Sequence, residues 1–300
     1  MSNGAFEHDE FRDINILSSE ITMEEVVGTG CTAEVYRGTF GSQVVAIKQM
    51  TVTRSSITKE HQVAFARELK VLTKVCQENL VKLYGACGVC SDGEPLRIVT
   101  EFCAGGACFE LLHNSPDIEL QFSQQTKMCF DVALAMEYLH TFKPMIIHRD
   151  LKSLNLLLDK PVSGPQDPVL VKVSDFGVAK IKDGAEADWG KMTVQAGTKH
   201  WMAPEMWSGT NYDEKVDVYS YAMVIYEIFC REVPFEEEEP SGVAKFTLAG
   251  VRPDMDAWPP NSPPKLRDLM LACWAQDPIK RPSFIEVVNM LPPTPEILRL

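Results

Sequence analysis

Short runs of apolar and β-branched residues, separated by polar or glycine-containing turns, dominate the first third of the chain. Runs of this kind are typical of strands that bury one face. They lie at Glu24–Val27, Ala33–Gly38, Val44–Ile47, Leu80–Tyr84 and Leu96–Phe102. A helix is predicted over residues 59 to 75, where apolar residues recur at about the helical period. Those residues are Val63, Leu69, Leu72 and Val75.

After Gly105-Gly106 the apolar positions form longer, helix-like stretches. Residues 121 to 141 carry an apolar stripe at helical spacing, and residues 214 to 230 are apolar on most faces, which predicts a helix buried all round. Short strands are expected near 156 to 158 and 169 to 173, with an exposed Pro-rich loop between them.

The pattern as a whole predicts an α+β protein of two lobes. A small β-rich lobe with one main helix precedes a larger, mainly helical lobe, and the two join near Cys103 to Gly106. A cleft between two lobes is a usual place for a ligand.

Composition and charge narrow the class of protein. The 300 residues are 45% hydrophobic and 24% charged, as in ordinary globular proteins. The formal net charge of −13 argues against a nucleic-acid partner and against docking on an anionic membrane.

Cysteine usage and the N-terminus indicate a cytoplasmic protein, with the nucleus as the alternative. The 9 cysteines are scattered and odd in number, unlike a disulfide framework, and the Cys87/Cys90 pair lacks the second pair of ligands that a zinc site needs. The acidic start of the chain is no signal peptide, and no apolar run reaches the roughly 18 residues that span a bilayer.

The first candidate motif is a glycine-rich segment that includes Gly28, Gly30 and Val35. Glycine lets the backbone approach a phosphate without an intervening Cβ, but a tight hairpin turn explains the same segment equally well. A strand ending in Lys48 follows, and Glu68 in the predicted helix is a candidate carboxylate partner for that lysine. Taken alone, Lys48 and Glu68 are equally well interpreted as ordinary side chains exposed to solvent.

The segment HRDLKSLN, residues 148 to 155, is more specific. It places Asp150, Lys152 and Asn155 in one tight loop, where a base, a cation and an amide oxygen can converge. Asp175 follows in DFG after a predicted strand. Carboxylate and amide oxygens are ligands that Mg²⁺ accepts, so this pair is a candidate metal site.

Together with GTKHWMAPE, Asp217 and the Arg281-Pro282 pair, these motifs resemble the set of the eukaryotic protein kinases over about residues 20 to 292. HRDLKSLN, GTxxWMAPE and CWAQDPIKRPSF resemble the tyrosine-kinase-like group of serine/threonine kinases, which includes Raf-like and mixed-lineage kinases. The resemblance implies the bilobal kinase fold. It also implies transfer of the γ-phosphoryl of ATP, with Mg²⁺ or alternatively Mn²⁺, to protein substrates.

Residue roles follow from the resemblance. Asp150 is expected to be the catalytic base and Lys152 to contact the γ-phosphate, with Asn155 and Asp175 as the metal ligands. The expected ATP-binding residues are Gly28, Gly30, Val35, Ala46, Lys48, Glu68, Thr100 as gatekeeper, Glu101, Cys103 and Leu157. Asp217, with the ion pair of Glu205 and Arg281, is expected to be structural.

The resemblance also bears on specificity and regulation. Lys152 and Thr198 match serine/threonine kinases, with Thr198 as part of the substrate platform, while dual specificity stays open. Thr193 is the expected activation-loop phosphosite, modified by an upstream kinase or by the protein itself, and Arg149 and Lys180 are expected to receive that phosphate.

The resemblance predicts a polar arm over residues 1–19, a kinase domain over 20–292 and a tail over 293–300. Within the domain, the N-lobe is expected over about 20–102, the hinge over 101–106 and the C-lobe over 107–292. The alternatives are a pseudokinase scaffold, disfavoured because the catalytic residues are present, and a metal-dependent nucleotide hydrolase.

Overall fold

The computed structural model describes residues 11–30, 33–51, 58–90, 94–182, 198–209 and 212–292. The chain forms two compact units. The first comprises Met1–Cys76 and Val81–Cys103, and the second comprises Gln77–Leu80 and Ala104–Leu300. No helix within the described ranges is both long enough and apolar enough to cross a membrane.

A five-stranded antiparallel sheet forms most of the first unit, in the order β1-β2-β3-β5-β4. The strands are β1 (Ile21–Thr29), β2 (Ala33–Phe40), β3 (Gln43–Met50), β4 (Leu83–Cys87) and β5 (Arg97–Glu101). Because side chains alternate across a strand, Val45 and Ile47 of β3 both face inward, where they pack with Val99 of β5. The strand predicted at Leu80–Tyr84 instead begins at Leu83.

Among the described residues of this unit, the one long helix is α1 (Lys59–Leu72). The hydroxyl of Thr58 accepts a hydrogen bond from the backbone of His61 and so caps the helix. Leu69 and Leu72 are buried as predicted, but Val63 is exposed. Helical spacing alone did not show that Phe65 and Val71 also belong to the buried face.

The residues just before β1, which the sequence assigns to a polar arm, contain two buried apolar side chains. Phe11 and Ile16 are about 95% buried. The backbone N–H of Ile16 donates to the carbonyl of Ala86, so this segment extends along the edge of β4. A Cβ at Gly85 would lie 2.6 Å from the carbonyl oxygen of Ile14, so a glycine is needed for this close approach.

The second unit is mainly helical. Its helices are α2 (Cys108–His113), α3 (Phe122–Thr141), α4 (Pro204–Ser208), α5 (Lys215–Cys230), α6 (Pro240–Leu248), α7 (Pro264–Cys273) and α8 (Phe284–Met290). As predicted, α5 is buried on all sides, and it packs against α3 and α7. The α+β fold class is thereby confirmed.

Short strands in the second unit position the loops discussed below. They are β6 (Gly106–Ala107), β7 (Ile146–Ile147), β8 (Leu156–Leu158), β9 (Val171–Val173) and β10 (Lys180–Ile181). Strand β8 lies between β6 and β9, while β7 pairs with β10. The buried Asn79 donates its side-chain N–H to the carbonyl of Val171, which ties residues 77–80 to this unit.

Candidate active site

The HRD loop, residues 148–155, lies between β7 and β8 and brings together the groups predicted for catalysis. Lys152 Nζ lies 2.7 Å from Asp150 Oδ2. The side-chain amide of Asn155 donates to the same Oδ2 at 3.0 Å and to the backbone carbonyl of Asp150 at 2.8 Å. A carboxylate, an ammonium group and an amide therefore meet at one point.

Thr198 joins this cluster from a distant part of the chain. Its backbone N–H donates to Asp150 Oδ1 at 3.0 Å, and its hydroxyl accepts a short hydrogen bond from Lys152 Nζ. The predicted platform residue thus contacts both the predicted catalytic base and the lysine predicted to contact the γ-phosphate. Both oxygens of Asp150 are held by hydrogen bonds, so the orientation of its carboxyl group is fixed.

Asp217 in α5 forms hydrogen bonds with the backbone of the HRD loop. Asp217, fully buried, accepts from the backbone N–H groups of His148 at 2.8 Å and Arg149 at 2.7 Å, and from His140 Nε2 at 2.9 Å. Arg149 has a φ of 70°, a left-handed conformation that costs a non-glycine residue about 1–3 kcal/mol. The two backbone hydrogen bonds hold the chain in that conformation.

The same contacts determine the charge state of Asp217. Burial, the largest influence, would by itself raise the pKa of this carboxyl group. The hydrogen bond and charge of His140, with smaller contributions from His148 and the Arg149 backbone, outweigh burial and hold the pKa below its ordinary value. Asp217 is therefore a buried carboxylate at neutral pH.

Asp175 follows β9 in a second left-handed conformation, with a φ of 62°. Ser174 donates its backbone N–H to the carbonyl of Asn155 at 2.9 Å, which links the two segments that carry the predicted metal ligands. The ring of the fully buried Phe176 lies edge-on to His148, 5.2 Å between centroids. The DFG turn and the HRD loop are thus packed against each other.

In the first unit, Lys48 of β3 and Glu68 of α1 form the predicted ion pair. Lys48 Nζ lies 2.9 Å and 3.0 Å from the two oxygens of Glu68, which is largely buried. Val35 is the cross-strand neighbour of Lys48, as Thr100 is of Ala46. The sheet register thus groups four of the predicted nucleotide-binding residues on adjacent strands.

The remaining predicted ATP-binding residues are divided between the two units. The backbone N–H of Glu101 donates to the carbonyl of Lys82 at 2.9 Å, so this N–H is already used within the first unit. Cys103 is buried in the first unit, and Leu157 lies in β8 of the second. Added Cβ atoms at Gly28 and Gly30 would have contacts no closer than 3.6 Å and 3.4 Å. The described residues around these two positions therefore do not themselves require glycine at either one.

The predicted structural pair is also formed. The two terminal nitrogens of Arg281, Nη1 and Nη2, contact the carboxylate of Glu205 at 2.6 Å and 2.9 Å, and Arg281 is 1% exposed. The predicted phosphosite Thr193 lies outside the described residues. Of its expected partners, Arg149 is buried and reaches the carbonyl of Ala179, and Lys180 of β10 pairs with Ile147 of β7.

One charged residue near the site was missed from the sequence. Glu227, in α5, is fully buried and accepts hydrogen bonds from Ser153 of the HRD loop, from His113 and from Trp201. The available signal was a carboxylate in a helix that is apolar on most faces and predicted to be buried. Such a group needs hydrogen-bonding partners, although the sequence does not say which they are.

Comparison with known proteins agrees with these motifs. The family described as protein tyrosine and serine/threonine kinase matches residues 21–291. Serine/threonine-protein kinase STY17 of Arabidopsis thaliana is 37% identical over 273 residues, which are 91% of this chain and 44% of that protein.

Two further relatives are similar over nearly as much of the chain. Serine/threonine-protein kinase STY46 of Arabidopsis thaliana is 37% identical, over 88% of this chain and 42% of that protein. The probable serine/threonine-protein kinase drkD of Dictyostelium discoideum is 35% identical, over 91% of this chain and 20% of that protein. The chain therefore spans less than half the length of each of these three relatives.

Proposed function

The chain belongs to the family of protein tyrosine and serine/threonine kinases, and on that premise we propose that it transfers the γ-phosphoryl group of ATP to serine and threonine hydroxyls of proteins. The observation that carries the proposal is the cluster of Asp150, Lys152, Asn155 and Thr198. Its residues occur in the order and chemical types that phosphoryl transfer needs. The relatives named as serine/threonine kinases support the same choice of acceptor.

The donor set fits a magnesium nucleotide. Both hydrogens of the Asn155 amide are directed at Asp150, so the amide oxygen is the atom that can bind a cation. Asp175 adds a carboxylate, and Mg²⁺ characteristically takes few protein oxygens and completes its shell with phosphates and water. We propose Mg²⁺ as the ion, with Mn²⁺ as the alternative. Lys48, held by Glu68, would contact phosphate oxygens, and Gly28 and Gly30 would keep side chains away from them.

Bound ATP would supply the transferred phosphoryl group and Mg²⁺ would neutralise its charge. The chain's own residues orient the acceptor. Asp150 would accept the proton of the substrate hydroxyl, because its carboxylate is fixed in position by Asn155 and Thr198. Lys152 Nζ, between Asp150 and Thr198, would stabilise negative charge that develops on the phosphoryl oxygens. Positioning and electrostatics account for most of the rate enhancement in such reactions.

Substrate choice and regulation are proposals of the same kind. The contact of Lys152 with Thr198 supports a serine or threonine acceptor, and the HRDLKSLN and GTxxWMAPE motifs support membership of the tyrosine-kinase-like group. We also propose phosphorylation at Thr193 by an upstream kinase or by the protein itself, with Arg149 and Lys180 as the receiving cations. A cytoplasmic location remains a prediction from the scattered cysteines.

Phosphoamino-acid analysis tests the function. The protein is incubated with radiolabelled ATP, Mg²⁺ and a degenerate peptide library, and a parallel sample contains excess EDTA. We expect phosphoserine and phosphothreonine in the first sample and none in the second. Phosphotyrosine at comparable yield would show dual specificity, and no transfer with retained nucleotide binding would show a pseudokinase scaffold.

A further inference from the structure

A single buried carboxylate in α5 connects three separate segments of the second unit. Glu227 Oε1 accepts from Ser153 Oγ at 2.5 Å and from His113 Nε2 at 3.0 Å, while Oε2 accepts from Trp201 Nε1 at 2.6 Å. The Glu227 side chain is 0% exposed, so water does not substitute for these donors. Both oxygens are therefore committed to groups outside α5.

Two of the donors adjoin residues of the candidate active site. Ser153 directly follows Lys152, and Trp201 ends the 3₁₀ turn Lys199–Trp201, which begins immediately after Thr198. The backbone N–H of Trp201 also donates to the carbonyl of Thr198 at 3.2 Å. Glu227 thus holds Ser153, which adjoins Lys152, and Trp201, whose backbone N–H bonds to Thr198. The side chains of Lys152 and Thr198 contact each other.

Hydrogen bonds to an ionised carboxylate are shorter and roughly twice as strong as those between neutral groups. In a buried site they are also directional restraints, because losing one donor leaves charge without compensation. A carboxylate with a donor on each oxygen fixes the spacing of the two segments that provide the donors. The segments here are the HRD loop and the turn after Thr198.

We propose that Glu227 is a positioning residue for phosphoryl transfer. Through its hydrogen bonds to Ser153 and Trp201, it sets the distance between the HRD loop and Thr198. The inference rests on the proposed function. Glu227 lies beneath the reacting groups and acts through Ser153 and Trp201. Removing its hydrogen bond to Ser153 or to Trp201 should slow the chemical step, since small misplacements of reacting groups can cost about a hundredfold in rate. Because Lys48 and Glu68 are untouched, KM for ATP should stay the same.

Two small substitutions each remove one hydrogen-bond donor to the Glu227 carboxylate, one in the HRD loop and one in the turn after Thr198. Ser153→Ala removes the hydroxyl donor of the HRD loop, and Trp201→Phe removes the indole N–H while leaving an aromatic ring in place. Tyr221→Phe is the matched control. Tyr221 lies on the same helix, is fully buried and donates its hydroxyl hydrogen bond to the carbonyl of Cys129 at 2.9 Å. It therefore loses one buried hydrogen bond without touching the candidate site.

Steady-state kinetics of peptide phosphorylation at saturating ATP give the first test. We expect kcat to fall by about tenfold to a hundredfold in each of Ser153→Ala and Trp201→Phe, with an unchanged KM for ATP. The double variant should lose little more than either single variant, because both changes break the same link. Tyr221→Phe should have the same kcat as the unaltered protein, even if its melting temperature falls as much as that of Ser153→Ala or Trp201→Phe.

Amide hydrogen exchange gives a second test that does not require turnover. If Glu227 links the segments, Ser153→Ala should speed exchange at residues 198–202, on the far side of the link, and Tyr221→Phe should not. Equal kcat values for Ser153→Ala and Tyr221→Phe, or unchanged exchange at residues 198–202, would overturn the proposal and leave the proposed function intact. No transfer by the unaltered protein would instead refute the proposed function, and the positioning role would fall with it.

Discussion

Replacing Asp217 with asparagine should destabilise the second unit and misplace the HRD loop. The carboxylate has two oxygens and accepts from the backbone N–H groups of His148 and Arg149 and from His140. An asparagine amide has one oxygen, so its NH₂ group must face at least one of these donors. The change keeps the shape of the side chain and removes only its charge and one acceptor.

The magnitude follows from the contacts. A hydrogen bond to a charged group contributes about 1.5–3 kcal/mol, and a buried donor left without a partner costs about 1–3 kcal/mol. We expect the free energy of unfolding to fall by about 2–4 kcal/mol. For a unit of this size that corresponds to a melting temperature lower by roughly 5–10 °C. Catalysis should suffer more than stability alone accounts for, because Arg149 would lose the bond that holds its left-handed backbone.

The pH dependence has a defined sign. The pKa of Asp217 is lower in the folded protein than its ordinary value, so the carboxylate stabilises the fold above the unfolded-state pKa of about 3.9. That contribution is lost as the pH falls through the folded-state pKa. The difference in melting temperature between the unaltered protein and Asp217→Asn should therefore not narrow from pH 7 to about pH 5 and should narrow only in stronger acid.

Thermal unfolding followed by circular dichroism measures this difference. Asp167→Asn is the control, because the Asp167 carboxylate also accepts two backbone N–H groups, from Ser163 and Gly164, but is partly exposed. We expect Asp167→Asn to cost under about 1 kcal/mol, since water can replace a lost partner there. Equal losses for the two variants, or a gap that narrows between pH 7 and pH 5, would refute the reasoning.

Two further predictions concern packing away from the HRD loop. Glu205→Gln should lower the free energy of unfolding by about 3 kcal/mol, because the buried Arg281 loses its counter-charge. In thermal unfolding, the double variant Glu205→Gln/Arg281→Met should recover part of the stability that Glu205→Gln loses. An unchanged melting temperature in Glu205→Gln would contradict this. Gly85→Ala should cost about 1–3 kcal/mol and displace the segment before β1, because the new Cβ would clash with Ile14. Faster amide exchange at Ile16 would confirm the displacement, and unchanged exchange would disprove it.

Short-range chemistry was the part of the site most accessible from the sequence. Asp150, Lys152 and Asn155 lie within a single tight loop, so their convergence needs only local geometry. The pairing of Lys48 with Glu68 spans two elements, but a lysine at the end of a strand and a glutamate in the next helix were visible in the pattern. In both cases the sequence carried the chemical types and the structure supplied the distances.

Contacts between distant segments were not accessible in the same way. Glu227 and Ser153 are 74 positions apart, and nothing in either local sequence specifies the other. Periodicity also fails where a helix presents a mixed surface, as with the exposed Val63 in α1. The burial of Phe11 and Ile16 depends on the edge of β4, which a pattern confined to the segment itself does not show.

Phosphoryl transfer by Asp150→Ala, measured with radiolabelled ATP and Mg²⁺ beside the unaltered protein, tests the central claim most directly. The unaltered protein should phosphorylate serine and threonine peptides. The variant should be slower by about 10² to 10⁴ fold, the usual contribution of a general base, while nucleotide binding stays nearly intact. Undiminished transfer by the variant, or no transfer by the unaltered protein, would contradict the account.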